Sequence, residues 1–267
     1  MKSDNISVEN FRDRIRKYFE ILQRLPIPLL QSALEKITSC KKISYSSYGE
    51  DVLLQGIMSR YMFEFKTPLK FSYVDIGAWK PITASNTYVF YKDGISGTAV
   101  EPNPQFRNAW KALRPRDNFL DFGCSSNENE ILNIFHDSAA SNTFDETFAE
   151  KISINQNLSI VRKLEVRCLT LSSIIDKHLS LFPGPFILDI DVEGRDLDVL
   201  LTFDFPAGKR PLLIIIEDIA ESGLTISESR IQDYLVRHSY KLVCRAAITS
   251  IYVDDFHQLS SILSSII

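Results

Sequence analysis

The chain reads "YVDIGAWKPITASNTYVFYKDGISGTAVEPNP" from Tyr73 to Pro104. An apolar run stops on an acid followed by Ile-Gly-Ala, a helix-like stretch intervenes, and a second apolar run stops on Glu101. That succession predicts a βαβ unit with a small nucleotide-like ligand held at its two strand ends. The alternation continues on both sides. Strands are predicted over 71–76, 97–101, 119–122, 186–190 and 212–217, and helices over 83–91, 104–113, 170–178, 195–201 and 227–236. Strands alternating with helices imply an α/β fold with a doubly wound, mostly parallel sheet. Residues 130–166 are too long for a simple crossover, and "ILNIF" and "LEVRCL" read as added strands around a polar loop that shapes the substrate site. "YKLVCRAAITSIYVDD" reads as two short strands, an antiparallel hairpin that finishes the sheet.

With 267 residues and 45% hydrophobic composition, the chain can build one large domain, expected over 45–267 after an N-terminal helical extension at 1–44. In the extension Phe11, Ile15, Tyr18, Phe19 and Leu22 recur at helical spacing, and a second short helix is expected over 29–37. Ser47 followed by Glu50 has the capping-box pattern and starts a helix near Tyr48. The charged first twenty residues lack the apolar core of a signal peptide, and no apolar run is long enough to span a bilayer, so the sequence reads as cytoplasmic. A formal net charge of −4 without a basic block argues against a nucleic-acid partner. The four cysteines lie far apart without metal-ligand spacing and read as thiols in a reducing compartment. His136, His178, His238 and His257 read as structural or surface residues.

Open α/β sheets bind ligands at the carboxyl ends of their strands. Asp75, Gly77 and Ala78 follow the first strand, Glu101 ends the second, and Cys124 and Ser125 follow the third. Asp191 and Glu193 follow the fourth, and Glu217 with Asp218 ends the fifth. An acid at the end of the second strand can accept both ribose hydroxyls of an adenosine ligand, a role common to dinucleotide and S-adenosylmethionine sites. "DIGAWKP" lacks the G-x-G-x-x-G turn that brings a pyrophosphate to a helix N-terminus. A diphosphate is therefore disfavoured, and a nucleotide-linked oxidoreductase stands as the alternative reading, beside a binding protein without turnover.

Taken in order, "YSSYGED", "YVDIGAWKP", "SNTYVFYKDG", "GTAVEPNP", "SNTFDETFAE", "RCLTLSSII", "LDIDVEGRDLDVL" and "PLLIIIED" resemble the blocks of the FkbM-type methyltransferases. The resemblance implies a Rossmann-like, S-adenosylmethionine-dependent enzyme that methylates a hydroxyl of a sugar or secondary metabolite. It places Asp75, Gly77 and Ala78 at the methionine and ribose portion, Glu101 on the ribose, and Ser125 near the adenine, with Asn103 as a further cofactor contact. Tyr48, Gly49 and Glu50 would close over the cofactor, and Ser85 and Asn86 would lie near its methionine end. Trp79 and Asp189 depart from the family pattern, which commonly has Asn and Ser or Lys there. For the acceptor proton the resemblance leaves two schemes. In one, Asp191 or Glu193 is the general base. In the other, Asp191, Glu217 and Asp218 hold Mg²⁺, similar to metal-dependent O-methyltransferases.

Overall fold

The computed structural model describes residues 42–65, 70–136, 139–218 and 229–255. The expected helices of the N-terminal extension and His257 lie outside the described residues. Helix α1 (Glu50–Phe65) precedes a seven-stranded sheet. Its strands are β1 (Ser72–Ile76), β2 (Thr98–Val100), β3 (Asn118–Leu120), β7 (Phe186–Ile190), β8 (Leu213–Glu217), β9 (Tyr240–Ala246) and β10 (Thr249–Asp254). Their order is β3-β2-β1-β7-β8-β10-β9. The first five are parallel, and β10 runs antiparallel between β8 and β9, so the C-terminal hairpin closes the sheet. The fold is Rossmann-like, as the sequence implies.

Both faces of the central strands are covered, which is why they read as unbroken apolar runs. On one face Val74, Leu188 and Ile214 pack against α5 (Leu171–Leu181), α6 (Asp196–Leu200) and α7 (Arg230–Arg237). On the other, Tyr73, Ile187, Leu213 and Ile215 pack against α1 and α2 (Tyr88–Lys92). Alternate residues of each strand thus enter opposite cores, so the sheet's register fixes which acids can share a face. Asp75 and Asp189, direct partners across β1 and β7, are brought side by side.

Three expectations change. The helix expected over 83–91 forms only at Tyr88–Lys92, because Ala84 adopts a left-handed φ of 52° and residues 79–87 turn instead. The third strand is broken: β3 ends at Leu120, and β4 (Gly123–Cys124) joins a second sheet of order β4-β6-β5, with β5 (Asn129–Ile134) and β6 (Arg162–Leu169). β5 and β6 are the two added strands read from the sequence. Between them stands α4 (Glu146–Gln156), unforeseen in the sequence and capped by Asp145, whose carboxylate accepts from the Phe148 N–H at 2.8 Å. His178 is a structural brace. Its ring nitrogens meet the hydroxyls of Ser72 (2.8 Å) and Thr98 (3.0 Å), and burial lowers its pKa to about 4.

Candidate active site

A cavity of about 490 Å³ opens at the carboxyl ends of β1, β2, β7 and β8, within the size range of small-molecule and cofactor sites. The turn after β1 forms its floor. Gly77 sits at φ 85°, and both its N–H (2.9 Å) and that of Ala78 (3.0 Å) donate to the carbonyl of Val100. A Cβ at Gly77 would overlap the backbone carbonyl of Asp191. The glycine is therefore required by the closeness of two strand ends, and the backbone N–H groups expected to meet a ligand are already engaged by β2.

Glu101 lines the cavity while binding two turns together. Its Oε2 accepts from the N–H of Trp79 (3.0 Å) and its Oε1 from that of Asn103 (2.7 Å). Burial raises its pKa to about 7 despite those two donors. Asn103, expected at the cofactor, caps the short turn before α3 (Arg107–Leu113) by accepting from the Gln105 N–H, and it does not line the cavity. Ala78 likewise stays out of the wall, whereas Trp79 contributes to it.

Asp75 is also behind the wall. Its carboxylate accepts from Thr87 Oγ1 at 2.5 Å. Thr87 belongs to a buried array centred on Arg114, which was not foreseen in the sequence. The guanidinium donates to the Pro81 carbonyl (3.3 Å) and to the hydroxyls of Ser85 (3.2 Å), Tyr73 (2.9 Å) and Thr87 (3.0 Å), and it pairs with Asp117 at 2.6 Å. One arginine thereby holds the whole 79–87 turn against β1. Ser85 is spent in this array, while Asn86 reaches the cavity and donates to Asp189 at 3.2 Å. Burial, then the neighbouring Asp75, raises Asp189 well above the ordinary carboxylate range, since two adjacent acids in one apolar setting resist joint ionisation.

The capping pair of α1 is displaced from the expected Ser47–Glu50. Asp51 gathers the hydroxyls of Ser44 (2.7 Å) and Ser46 (2.9 Å) and the N–H of Tyr45 (2.7 Å). Glu50 is released toward the cavity, where it accepts from the Tyr48 N–H (2.8 Å) and from Thr249 of the C-terminal hairpin (3.3 Å).

Another side of the cavity is built by the turn after β7. Glu193 (φ 54°) and Gly194 (φ 101°) are both left-handed, which reverses the chain so that Asp196 accepts from the N–H groups of Val192 (3.0 Å) and Gly194 (3.3 Å). Asp191 and Glu193 both line the cavity. Thr143 of the insertion donates to the Glu193 carbonyl at 2.7 Å, so the insertion wall, including Ala139, Asn142 and Phe144, is tied to this strand end. Asp191 is exposed to the cavity, but the protein around it, followed by the charges of Asp196 and Glu193, raises its pKa well above the carboxylate range. Burial raises Glu193 as well.

Two expected residues turn elsewhere. The carboxylate of Asp218 accepts from Ser229 at 2.6 Å and is not part of the wall, because consecutive residues at a strand end point to opposite sides. Ser125 donates to Glu130 at 2.8 Å beside a separate small recess. The expected metal set is therefore not assembled. Among the described residues, the acids whose ligand atoms lie within 4.8 Å of one another are Asp191, Asp196 and Glu217. Asp196 gives one lone pair of each oxygen to a backbone N–H and is oriented by them, while Asp191 and Glu217 line the cavity. Glu217 is pushed up to about 10 by burial and then by Asp191, Asp196 and Glu193, and its Oε2 has no hydrogen-bond partner.

These raised values set a stability trend. Glu101 and Asp196 hold a proton up to about pH 7 in the folded chain but lose it near their ordinary values, 4.5 and 3.8, when unfolded. The folded state then binds more protons, so their contribution is full at low pH and is lost as pH rises through about 7. Urea unfolding of the ligand-free protein should show a loss of about 2 kcal/mol for each group between pH 5.5 and 8. An unchanged midpoint would mean that these carboxylates are solvated.

A doubly wound sheet with a one-glycine turn, an acid closing β2 and acids closing β7 and β8 is the arrangement on which the methyltransferase reading of the sequence rests. The family described as the methyltransferase FkbM domain matches residues 75–242, and the chain belongs to that family. It is a methyltransferase, and the family's general methyl donor is S-adenosylmethionine. Neither the curated proteins nor the solved structures compared with the chain gave a match. No helix among the described residues is long and apolar enough to cross a membrane.

Proposed function

We propose that the chain moves the methyl group of S-adenosylmethionine to a hydroxyl oxygen of a small polyhydroxylated acceptor, a carbohydrate or secondary metabolite. The observation that carries this reading is the opposition of Glu101 and Asp191 across one cavity, at the ends of strands flanking the Gly77 turn. Glu101 is suited to accept the ribose hydroxyls, since each of its oxygens keeps a lone pair beyond its backbone donor. Glu50 and Asn86 line the same cavity, where they meet Thr249 and Asp189.

When bound, the cofactor supplies an electrophilic methyl on a sulfonium, which leaves as a neutral thioether. The chain's part is to align the acceptor oxygen and to take its proton as the carbon–oxygen bond forms. Asp191 is the proton acceptor in this reading, with Glu193 beside it, and its raised pKa makes it a stronger base once ionised. The insertion wall excludes water from the acceptor side, and Thr143 fixes that wall to the same turn.

The test is a calorimetric titration with S-adenosylmethionine beside NAD, followed by mass detection of methylated sugars. Binding of NAD in place of S-adenosylmethionine would remove the reading. Glu101→Ala should weaken cofactor binding tenfold to a hundredfold through loss of charge-assisted hydrogen bonds. The same variant strips the Trp79 and Asn103 N–H groups of their acceptor and should lower stability by about 1 to 3 kcal/mol in a thermal melt. A melt shift with unchanged affinity would leave Glu101 a structural clamp only.

A further inference from the structure

We infer that the methyl acceptor carries a basic amine, held as an ammonium by Glu217 while the reacting hydroxyl lies at Asp191. The inference rests on the methyl-transfer reading above.

Five carboxylates line the cavity, those of Glu50, Glu101, Asp191, Glu193 and Glu217, and among the described residues no Lys, Arg or His joins them. S-adenosylmethionine offsets little of this, because its sulfonium and ammonium are partly cancelled by its own carboxylate, leaving one net positive charge. Among the described residues the wall therefore retains an excess of acids over bases, and the Lys80 ammonium, which stands over the Trp79 ring at 4.1 Å, is not part of it.

Within that excess Glu217 stands apart. It is 9% exposed, it faces the cavity, and its Oε2 has no hydrogen-bond partner. Buried carboxylates in folded proteins ordinarily find donors, and the next residue, Asp218, does so with Ser229. A side chain held in place with an unused acceptor aimed into a cavity is suited to a donor that arrives with the ligand. An ammonium presents three N–H donors and a positive charge, and Phe144 in the wall offers an aromatic ring that also favours it. A phosphate or carboxylate on the acceptor would instead face acids, with no basic side chain among the described lining residues. A divalent cation would compete for Asp191 and Glu217, whose ligand atoms lie within 4.8 Å of each other, and it is one of the ligands tested below.

The experiment uses the full chain saturated with S-adenosylhomocysteine, which permits binding without turnover. Calorimetry would compare glucosamine with glucose and 2-aminocyclohexanol with cyclohexane-1,2-diol, together with glucose 6-phosphate, glucuronate and Mg²⁺ alone. The amine of at least one pair should bind at least tenfold tighter than its neutral counterpart, the two anions should not bind, and Glu217→Gln should erase the preference. Equal affinity within both pairs, or no amine binding, overturns the inference, as does a preference that survives Glu217→Gln. Mg²⁺ binding that disappears in Glu217→Gln would assign the residue to a metal and overturn it too. Failure of S-adenosylhomocysteine to bind is a separate result, which removes the methyl-transfer reading itself.

Discussion

Gly77→Ala should lose about 2 to 5 kcal/mol of stability, the sum of a left-handed backbone strain and an overpacked contact with rigid backbone. The single added carbon has nowhere to go: the Asp191 carbonyl lies where it must sit, and Val192 stands beyond it. Because Asp191 N–H also donates to the Ile76 carbonyl at 3.0 Å, relief by sliding would break the junction of β1 and β7. Gly49→Ala is the matched control. Gly49 has nearly the same φ, 87°, with open space around its Cβ direction, so it should show the backbone strain alone. Thermal melts of the two variants separate the contributions, and equal losses would show that the two strand ends are not in contact. Gly77 would then act on the cofactor only through the turn's shape.

Asp191→Asn should reduce turnover a hundredfold to ten-thousandfold, the usual contribution of a positioned proton acceptor, while S-adenosylmethionine binding stays within a few-fold of the parent. The parent's kcat should rise with pH well above the ordinary carboxylate range, because the enclosed carboxylate must lose its proton before it can accept one. The variant's residual rate should lack that limb. Full activity of Asp191→Asn would pass the role to Glu193, and a parent profile that is flat from pH 5 to 9 would indicate that no carboxylate of this cluster takes the proton.

The strands were legible because burial on both sheet faces writes them as short apolar runs, and a run ending in an acid marks the rim. What spacing along the chain cannot show is direction around a turn. Glu217 and Asp218 are adjacent letters, yet one faces the cavity and the other Ser229, and only the sheet's register decides which. Asp196 reaches the Asp191 cluster through the two left-handed residues between them, a reversal that "DVEGRD" hints at only by its glycine. The adjoining acids Glu50 and Asp51 are both plausible caps, and the serine three residues before Glu50 drew the assignment one position astray. Arg114 left no local signal, since "LRPRD" looks like a solvated helix end. Its burial depends on Tyr73, Ser85, Thr87 and Asp117 arriving from elsewhere. The helix α4 was missed because only Ala149 and Ile152 of its eleven residues are buried core positions, too few for a visible stripe.

The second sheet has one more consequence. The residues assigned to the cofactor in the proposed reading stand on the seven-stranded sheet, its turns and α1, whereas Leu132, Ala139, Ala140, Asn142, Thr143 and Phe144 of the insertion contribute a wall of their own. That wall meets the turn after β7 through the Thr143 hydroxyl and a main-chain carbonyl, a joint that needs a hydroxyl on one side and no particular side chain on the other. Mutational drift in the insertion can therefore reshape this wall without a matching change on the seven-stranded sheet, so in the proposed reading the acceptor's side of the cavity is free to change apart from the donor's.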